Sequence, residues 1–207
     1  MEFKQLVFNR RTIRRFLPES ISKADIAEII SIATNACNSG NEQFWHFIII
    51  QNDNVKKEMA QVVRKKASQL NQEIAKVKAA EPAYVPQEFY LEAPVVIGVV
   101  STDKYRTKAD LLMREVGYGD QEIADLRCRS DLQTIGAVTQ LILLAAWEKG
   151  FGSCWMTGPL FARKELEALL GITGDKSLAA LIPIGKPAVM PNRRGRKPVE
   201  EVISFVD

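Results

Sequence analysis

Ser130-Asp131-Leu132-Gln133-Thr134-Ile135-Gly136-Ala137-Val138-Thr139-Gln140-Leu141-Ile142-Leu143-Leu144-Ala145-Ala146-Trp147 is the most hydrophobic stretch of this 207-residue chain. From Leu132 to Trp147, apolar residues fall on nearly every face of a helix, interrupted mainly by Gln133, Thr134, Thr139 and Gln140. A helix that is apolar all round must be buried on all sides. In a domain of this size it is either a central helix or one buried against a second copy of the chain. Ser130-x-x-Gln133 reads as a capping box at its start, and Gly150 as its stop.

Working outward, short apolar runs flank this helix on both sides. Trp45 to Ile50 is a β-rich run without alternation, which predicts a strand covered on both faces, with His46 packed within it. Pro94 to Val100 predicts a second buried strand, and Phe151 to Met156 and Leu178 to Ile184 two more. Ser22-Lys23-Ala24-Asp25 is a capping box before a helix whose apolar face is Ile26, Ile29, Ile30 and Ala33. Residues 54–79 lack Gly and Pro and read as a long, largely exposed helix. A short helix near 161–170 ends at Gly171, and 101–128 reads as an irregular excursion. Strands and helices interleave without a βαβ rhythm, which favours a single α+β domain over residues 1–207 with a mixed sheet.

Composition removes several classes of chemistry. Three scattered cysteines and no Cys-x-x-Cys argue against a disulfide framework and for a reducing, cytoplasmic setting. The first twenty residues are polar and arginine-rich, so no secretory leader is expected, and no apolar run is long enough to span a bilayer. With one histidine, neither a Cys/His metal site nor Ser-His catalysis is expected. Neither a dinucleotide glycine fingerprint nor a Walker loop is present.

The charge is unevenly placed. Arg10, Arg11, Arg14 and Arg15 form one knot, and Arg193, Arg194, Arg196 and Lys197 a second. The chain has 28 Lys+Arg against 25 Asp+Glu, or +3; without these eight cations it would have 20 against 25, or −5. If folding brings the knots together, they can clasp a phosphate through bidentate guanidinium bonds. Charge alone leaves open the alternative of two solvated basic patches.

Four segments in order carry a family resemblance. Arg10-Arg11-Thr12-Ile13-Arg14-Arg15-Phe16 resembles the Arg-Arg-Ser-Val-Arg-x-Phe opening of the nitroreductase family of FMN-dependent oxidoreductases. Asn38 to Phe47 is similar to its Ser-Ser-Gly-Asn-x-Gln-Pro-Trp-x-Phe segment, and Gly150 to Gly158 to its Gly-Leu-Gly-x-x-Trp-x-x-Gly turn. Arg194 to Val202 resembles its closing Arg-x-Arg-Lys-Pro-Leu-Glu-Glu-Val. Phe44 and Cys37 stand where proline is usual, so the loop between them is expected to follow its own path.

The resemblance implies a three-layer α-β-α sandwich with a mixed, mainly antiparallel sheet. It also implies a homodimer with a tightly bound FMN shared between subunits, the 131–148 helix lying at the dimer centre. On that basis Arg10, Arg11, Thr12, Arg194 and Arg196 hold the phosphate and ribityl end, Arg11 mostly through backbone, while Arg15 faces solvent. Arg14 lies near flavin N1 and C2=O, where a fixed cation favours the reduced ring. Asn38, Ser39 and Asn41 reach the flavin of the other subunit, and Trp155, Met156, Thr157 and Gly158 line its N5 edge. Cys154 is expected to be a buried structural thiol.

The implied activity is ping-pong transfer of hydride from NAD(P)H, through flavin N5, to an electron-poor acceptor such as a nitroaromatic or quinone. No side-chain acid or base is obligatory, and no metal is implied. Dehalogenation or flavin fragmentation within the same fold is the alternative, depending on lid residues within 60–90 or 103–128. A third reading is a flavin or nucleic-acid binder without turnover, but neither arginine knot is interleaved with aromatics as stacking surfaces are, so no nucleic-acid partner is expected.

Overall fold

The computed structural model describes residues 2–78, 81–102 and 107–206. Four strands form its sheet: β1 (Trp45–Ile50), β2 (Val95–Ser101), β3 (Gly152–Ser153) and β4 (Ser177–Gly185), in the order β1-β2-β4-β3. All three pairings are antiparallel, and a single parallel bridge joins Thr12 to Ser153 at the far edge. β2 is buried throughout, as its continuous apolar run requires. A bulge opposite Val99 and Val100 leaves Ala179 as the extra residue of β4.

Helices cover both faces. On one, α2 (Lys23–Ala33) and α6 (Ser130–Glu148) enclose a core that includes Ile29, Val138, Ile142, Ile97 and Ile182. On the other, α3 (Asp53–Val77) and α7 (Arg163–Leu169) pack Met59, Val63 and Leu166 on Val96 and Leu181. This is the expected α-β-α sandwich. No helix among the described residues is long and apolar enough to cross a membrane.

Several local expectations need correction. β1 is an edge strand with one neighbour, so it is only partly covered, and His46 is exposed. α3 is amphipathic, burying Met59, Ala60, Val63 and Ala67. Its Lys56 is 2% exposed, with Nζ donating to Ala93 O at 2.6 Å and pairing with Asp53 at 2.7 Å. Ala79, expected at its end, lies outside the described residues. The 101–128 stretch holds two helices, α4 (Lys108–Glu115) and α5 (Asp120–Leu126), with residues 103–106 outside the described set. Thr107 and Asp110 close a capping box on α4, and Arg127 pairs with Asp110.

Ser22 caps α2 as expected, its Oγ accepting from Asp25 N at 3.0 Å. The box expected at Ser130 does not form. Arg129, at φ +52°, is the N-cap of α6, and Gln133 Nε2 donates to Cys128 O at 2.7 Å instead. α6 is central and mostly buried within its own chain, while Leu132, Gln133 and Gln140 stay open. The apolar composition of the helix is thus largely explained without a second copy. The helix expected near 161–170 begins as a 3₁₀ turn, Gly158–Ala162, continues as α7, and ends at Gly171 with φ +69°.

One packing arrangement fixes where the arginines go. Gly152 and Gly185 face each other across β3 and β4. A Cβ at Gly152 would sit 2.4 Å from Ile13 Cγ1, and one at Gly185 2.9 Å from Phe16 Cδ1. Residues 12–16 therefore lie in a shallow groove made by two missing side chains. Ile13 N donates to Ser153 O at 2.9 Å, and Leu17 N to Lys186 O at 2.9 Å. Ala188 N donates back to Arg15 O at 3.0 Å, which starts the chain after β4 beside the N-terminal segment.

Gly152→Ala should therefore overpack this crossing and lower stability by about 1–3 kcal/mol in urea unfolding. Adding Ile13→Val should recover part of that loss. An unchanged midpoint for Gly152→Ala would show that Ile13 moves aside freely.

Candidate functional site

Because the N-terminal segment and the chain after β4 are paired side by side, the two arginine knots meet. They line a cavity of ≈ 470 Å³ that includes Arg10, Arg11, Thr12, Arg14, Arg193, Arg194 and Arg196, closed by Val7, Phe8, Gln140, Leu144, Pro191 and Asn192. No carboxylate is among these residues. Uncompensated cations gathered in a concavity raise the local potential and attract an anion. Burial, and then the neighbouring Arg196, hold the Arg10 guanidinium below its ordinary pKa, with Arg11 adding to the effect. Ser153 Oγ, next to Thr12 across the parallel bridge, is buried with no hydrogen-bond partner in the structure.

The arginines are not equivalent. Arg11 turns back onto its own chain, Nη1 donating to Phe8 O and Asn9 O at 2.8 Å and to Arg10 O at 3.1 Å. It thereby closes the C-terminal end of α1 (Phe3–Asn9), whose last carbonyls lack helical partners. Arg193 lies 5.1 Å from the centre of the Phe8 ring. Arg196 Nη1 donates to Gly195 O at 3.0 Å. Arg15 is exposed and pairs with Glu92 at 2.9 Å, in accord with a solvent-facing role.

Arg14 is held differently. Its guanidinium lies over the Phe89 ring, Cζ 5.5 Å from the centroid, with the Cys154 thiol as a further hydrogen-bonding neighbour. Cys154 is 3% exposed, and burial pushes its thiol pKa up against the opposing pull of Arg14 and Arg10. The burial expected of this thiol from the sequence is what the structure contains. Its basic neighbours come from the other end of the chain, where local sequence gave no hint of them.

The Trp155–Gly158 turn leaves the sheet beside this cavity. Cys154 N donates to Pro183 O at 3.3 Å and Met156 N to Leu181 O at 2.9 Å. Alternate amides of an extended chain point to opposite edges. The Trp155 amide therefore points away from β4, toward the side on which Ile13 and Arg14 run. The Trp155 ring is 40% exposed and covers Gly136 of α6, whose added Cβ would lie 3.6 Å from Cη2. Met156 buries its side chain in the core beneath, while Thr157 and Gly158 are exposed.

Asn38, Ser39 and Asn41 do not join the cavity within one chain. They form a tight turn in which Asn38 Oδ1 accepts from Gln43 N at 3.0 Å and its Nδ2 donates to Ala36 O at 3.2 Å. Gly40, Asn41 and Gln43 all have positive φ, a path that proline at position 44 or 37 is not there to restrict.

Sequence reasoning missed Phe8, Gln140 and Phe89, while Arg193, read as part of the second knot, lines the cavity with it. Gln140 carried a signal, being one of few polar breaks in the apolar helix. Phe89 carried none, since its pairing with Arg14 spans 75 positions.

The sequence profile of the Nitroreductase family matches residues 7–186. The Bacillus subtilis protein YfhC, an NAD(P)H nitroreductase by name, is 25% identical over 202 residues, covering 96% of this chain and 91% of its own. The iodotyrosine deiodinase of Thermotoga neapolitana is 25% identical over 186 residues, covering 88% and 87%. Among solved structures, a BluB-like flavoprotein from Clostridium difficile 630 superposes with a TM-score of 0.89 at 30% identity, over the full length of both chains. A profile that takes in both the Arg10–Phe16 crossing and the strand that ends at Gly185, on a fold shared throughout, makes this chain a member of the nitroreductase family.

Proposed function

We propose that the chain is one FMN-binding domain of a homodimeric, cytoplasmic NAD(P)H-dependent oxidoreductase. It acts by a ping-pong cycle on an electron-poor acceptor such as a nitroaromatic or quinone. The observation that carries this reading is the carboxylate-free arginine cavity, in which Arg10 is half-buried against Arg196. Such a grouping fits a phosphate monoester, and its concave shape suits a small anion better than a polymer. FMN, when bound, supplies the centre that accepts hydride from the nicotinamide and passes it on.

The chain's own residues bind and orient. Arg10, Arg194 and Arg196 take the phosphate end, and the Thr12 hydroxyl adds a donor. Arg14 places positive charge where reduction adds negative charge to the ring system. The outward amide of Trp155 and the exposed backbone of Thr157 and Gly158 offer donors to the flavin edge, with Met156 anchoring the turn in the core. Asn38, Ser39 and Asn41 reach the flavin of the second copy. The described residues lining the cavity include no carboxylate or histidine, and the chemistry is assigned to the cofactor.

Dimerisation is supported by apolar surface left open on one chain. Phe3, Val7 and Phe8 project from α1, and Val202, Ile203, Phe205 and Val206 from the last segment, Phe205 being 85% exposed. Surface of this extent marks an association site.

The iodotyrosine deiodinase relative supports dehalogenation as a second reading. The α4–α5 segment would serve as its lid, with Asp110, Asp120 and Asp131 already paired to Arg127, Arg114 and Arg129.

Purified protein should be yellow, sediment at twice the chain mass, and bleach anaerobically with NADH or NADPH. A colourless protein that takes up no added FMN would refute the reading. Bleaching by dithionite but by neither nicotinamide, with iodide release from iodotyrosine, would favour the second one. Each of Arg10→Ala and Arg196→Ala should weaken FMN binding roughly 10- to 100-fold, the scale of a lost charged hydrogen bond. Arg15→Ala should leave the Kd unchanged.

A further inference from the structure

Arg14 is the arginine of this site held by neutral groups on two sides. The Phe89 ring lies under the guanidinium at 5.5 Å, and the Cys154 thiol supplies the second contact. Among the described residues no carboxylate pairs with it, whereas nearby Arg15 has Glu92. The difference is consequential. A carboxylate would fix Arg14 equally well but would cancel most of its field at any ligand beside it. A ring quadrupole and a protonated thiol hold a cation without neutralising it. Both partners are firmly placed. Cys154 precedes the Trp155–Gly158 turn and its own amide is tied to β4, and Phe89 opens the 3₁₀ turn Phe89–Leu91, which contains the fully buried Tyr90.

We propose that Phe89 and Cys154 are positioning residues that keep the Arg14 guanidinium fixed without pairing its charge to a carboxylate, and so set the reduction potential of the bound flavin more than its affinity. The inference rests on the flavin reading above. It assigns to two residues outside the phosphate cluster the work of maintaining one charge at the ring end of the site. The thiol is suited to this only while neutral, and its burial favours that state.

The test is a spectroscopic redox titration of the FMN-loaded protein, with FMN affinity measured in parallel. Phe89→Leu keeps an apolar group of similar size but removes the ring, and Cys154→Ala removes the sulfur. Each should reduce the preference for reduced over oxidised FMN about three- to tenfold, tenfold being about 30 mV for a two-electron couple. Oxidised-FMN affinity should change less than twofold. Cys154→Ser, which retains an acceptor, should restore most of the wild-type value. In an Arg14→Met background neither substitution should have a further effect, since the charge they position is gone.

Unchanged potentials in the two single variants would overturn the proposal, as would shifts that persist without Arg14. Equal loss of affinity for both redox forms would likewise overturn it, by showing a structural role alone. These outcomes all require a yellow protein, so they differ from failure of the flavin reading, in which wild-type protein takes up no FMN.

Discussion

The site depends on a steric fit before it depends on charge. Six guanidinium groups can gather in one cavity only because residues 12–16 cross the sheet edge at a fixed height, and that height is set by Gly152 and Gly185. Ile13, fully buried, contributes about 1.5–3 kcal/mol of apolar burial that holds the crossing down. The backbone bond from Ile13 to Ser153 then ties the N-terminal segment to β3, and the bond from Ala188 to Arg15 ties the chain after β4 to that segment. Any side chain at Gly152 would lift the segment, and with it Arg10, Thr12 and Arg14 together.

That fit works against electrostatics in the free chain. Arg10 sits against Arg196 and Arg11 with no carboxylate among the described residues lining the cavity, and its pKa is held down first by burial and then by these like charges. The core has to hold this arrangement, and two layers of helices on a fully buried β2 provide the means. An anion that binds the folded state relieves the repulsion and adds stability through its own affinity. Stability and ligand binding are thus coupled through the same guanidinium groups.

The sequence was most legible where one local force decided the outcome. The Trp45–Ile50 and Val95–Ser101 strands and the buried 130–148 helix followed from apolar runs and turn residues. The meeting of Arg10 with Arg196 was suggested by charge imbalance but was specified only by the order of four family motifs. Elsewhere the deciding contacts were distant in sequence. α4 and α5 are held by caps and ion pairs such as Arg127–Asp110, which leave no apolar period to read. The burial of Lys56 depends on the Ala93 carbonyl, and the orientation of Arg14 on Phe89. β1 looked doubly covered because its composition matches a central strand, yet it lies at the sheet edge.

That edge position has a counterpart in the rest of the molecule. The parts that frame the cavity, α1 and the chain beyond Pro191, bury none of their own large apolar residues well, while the sandwich beneath them is closed. A segment with few internal contacts acquires a definite conformation mainly from what binds it. In this chain the candidates are an anion, for the arginines, and a second copy, for Phe3, Phe8 and Phe205. Both demands fall on the same two segments, so ordering by one partner lowers the entropic cost of binding the other. On the proposed reading, a shared cofactor site and a dimer would both draw on a single feature: exposed apolar side chains and clustered guanidinium groups are carried by the same two segments.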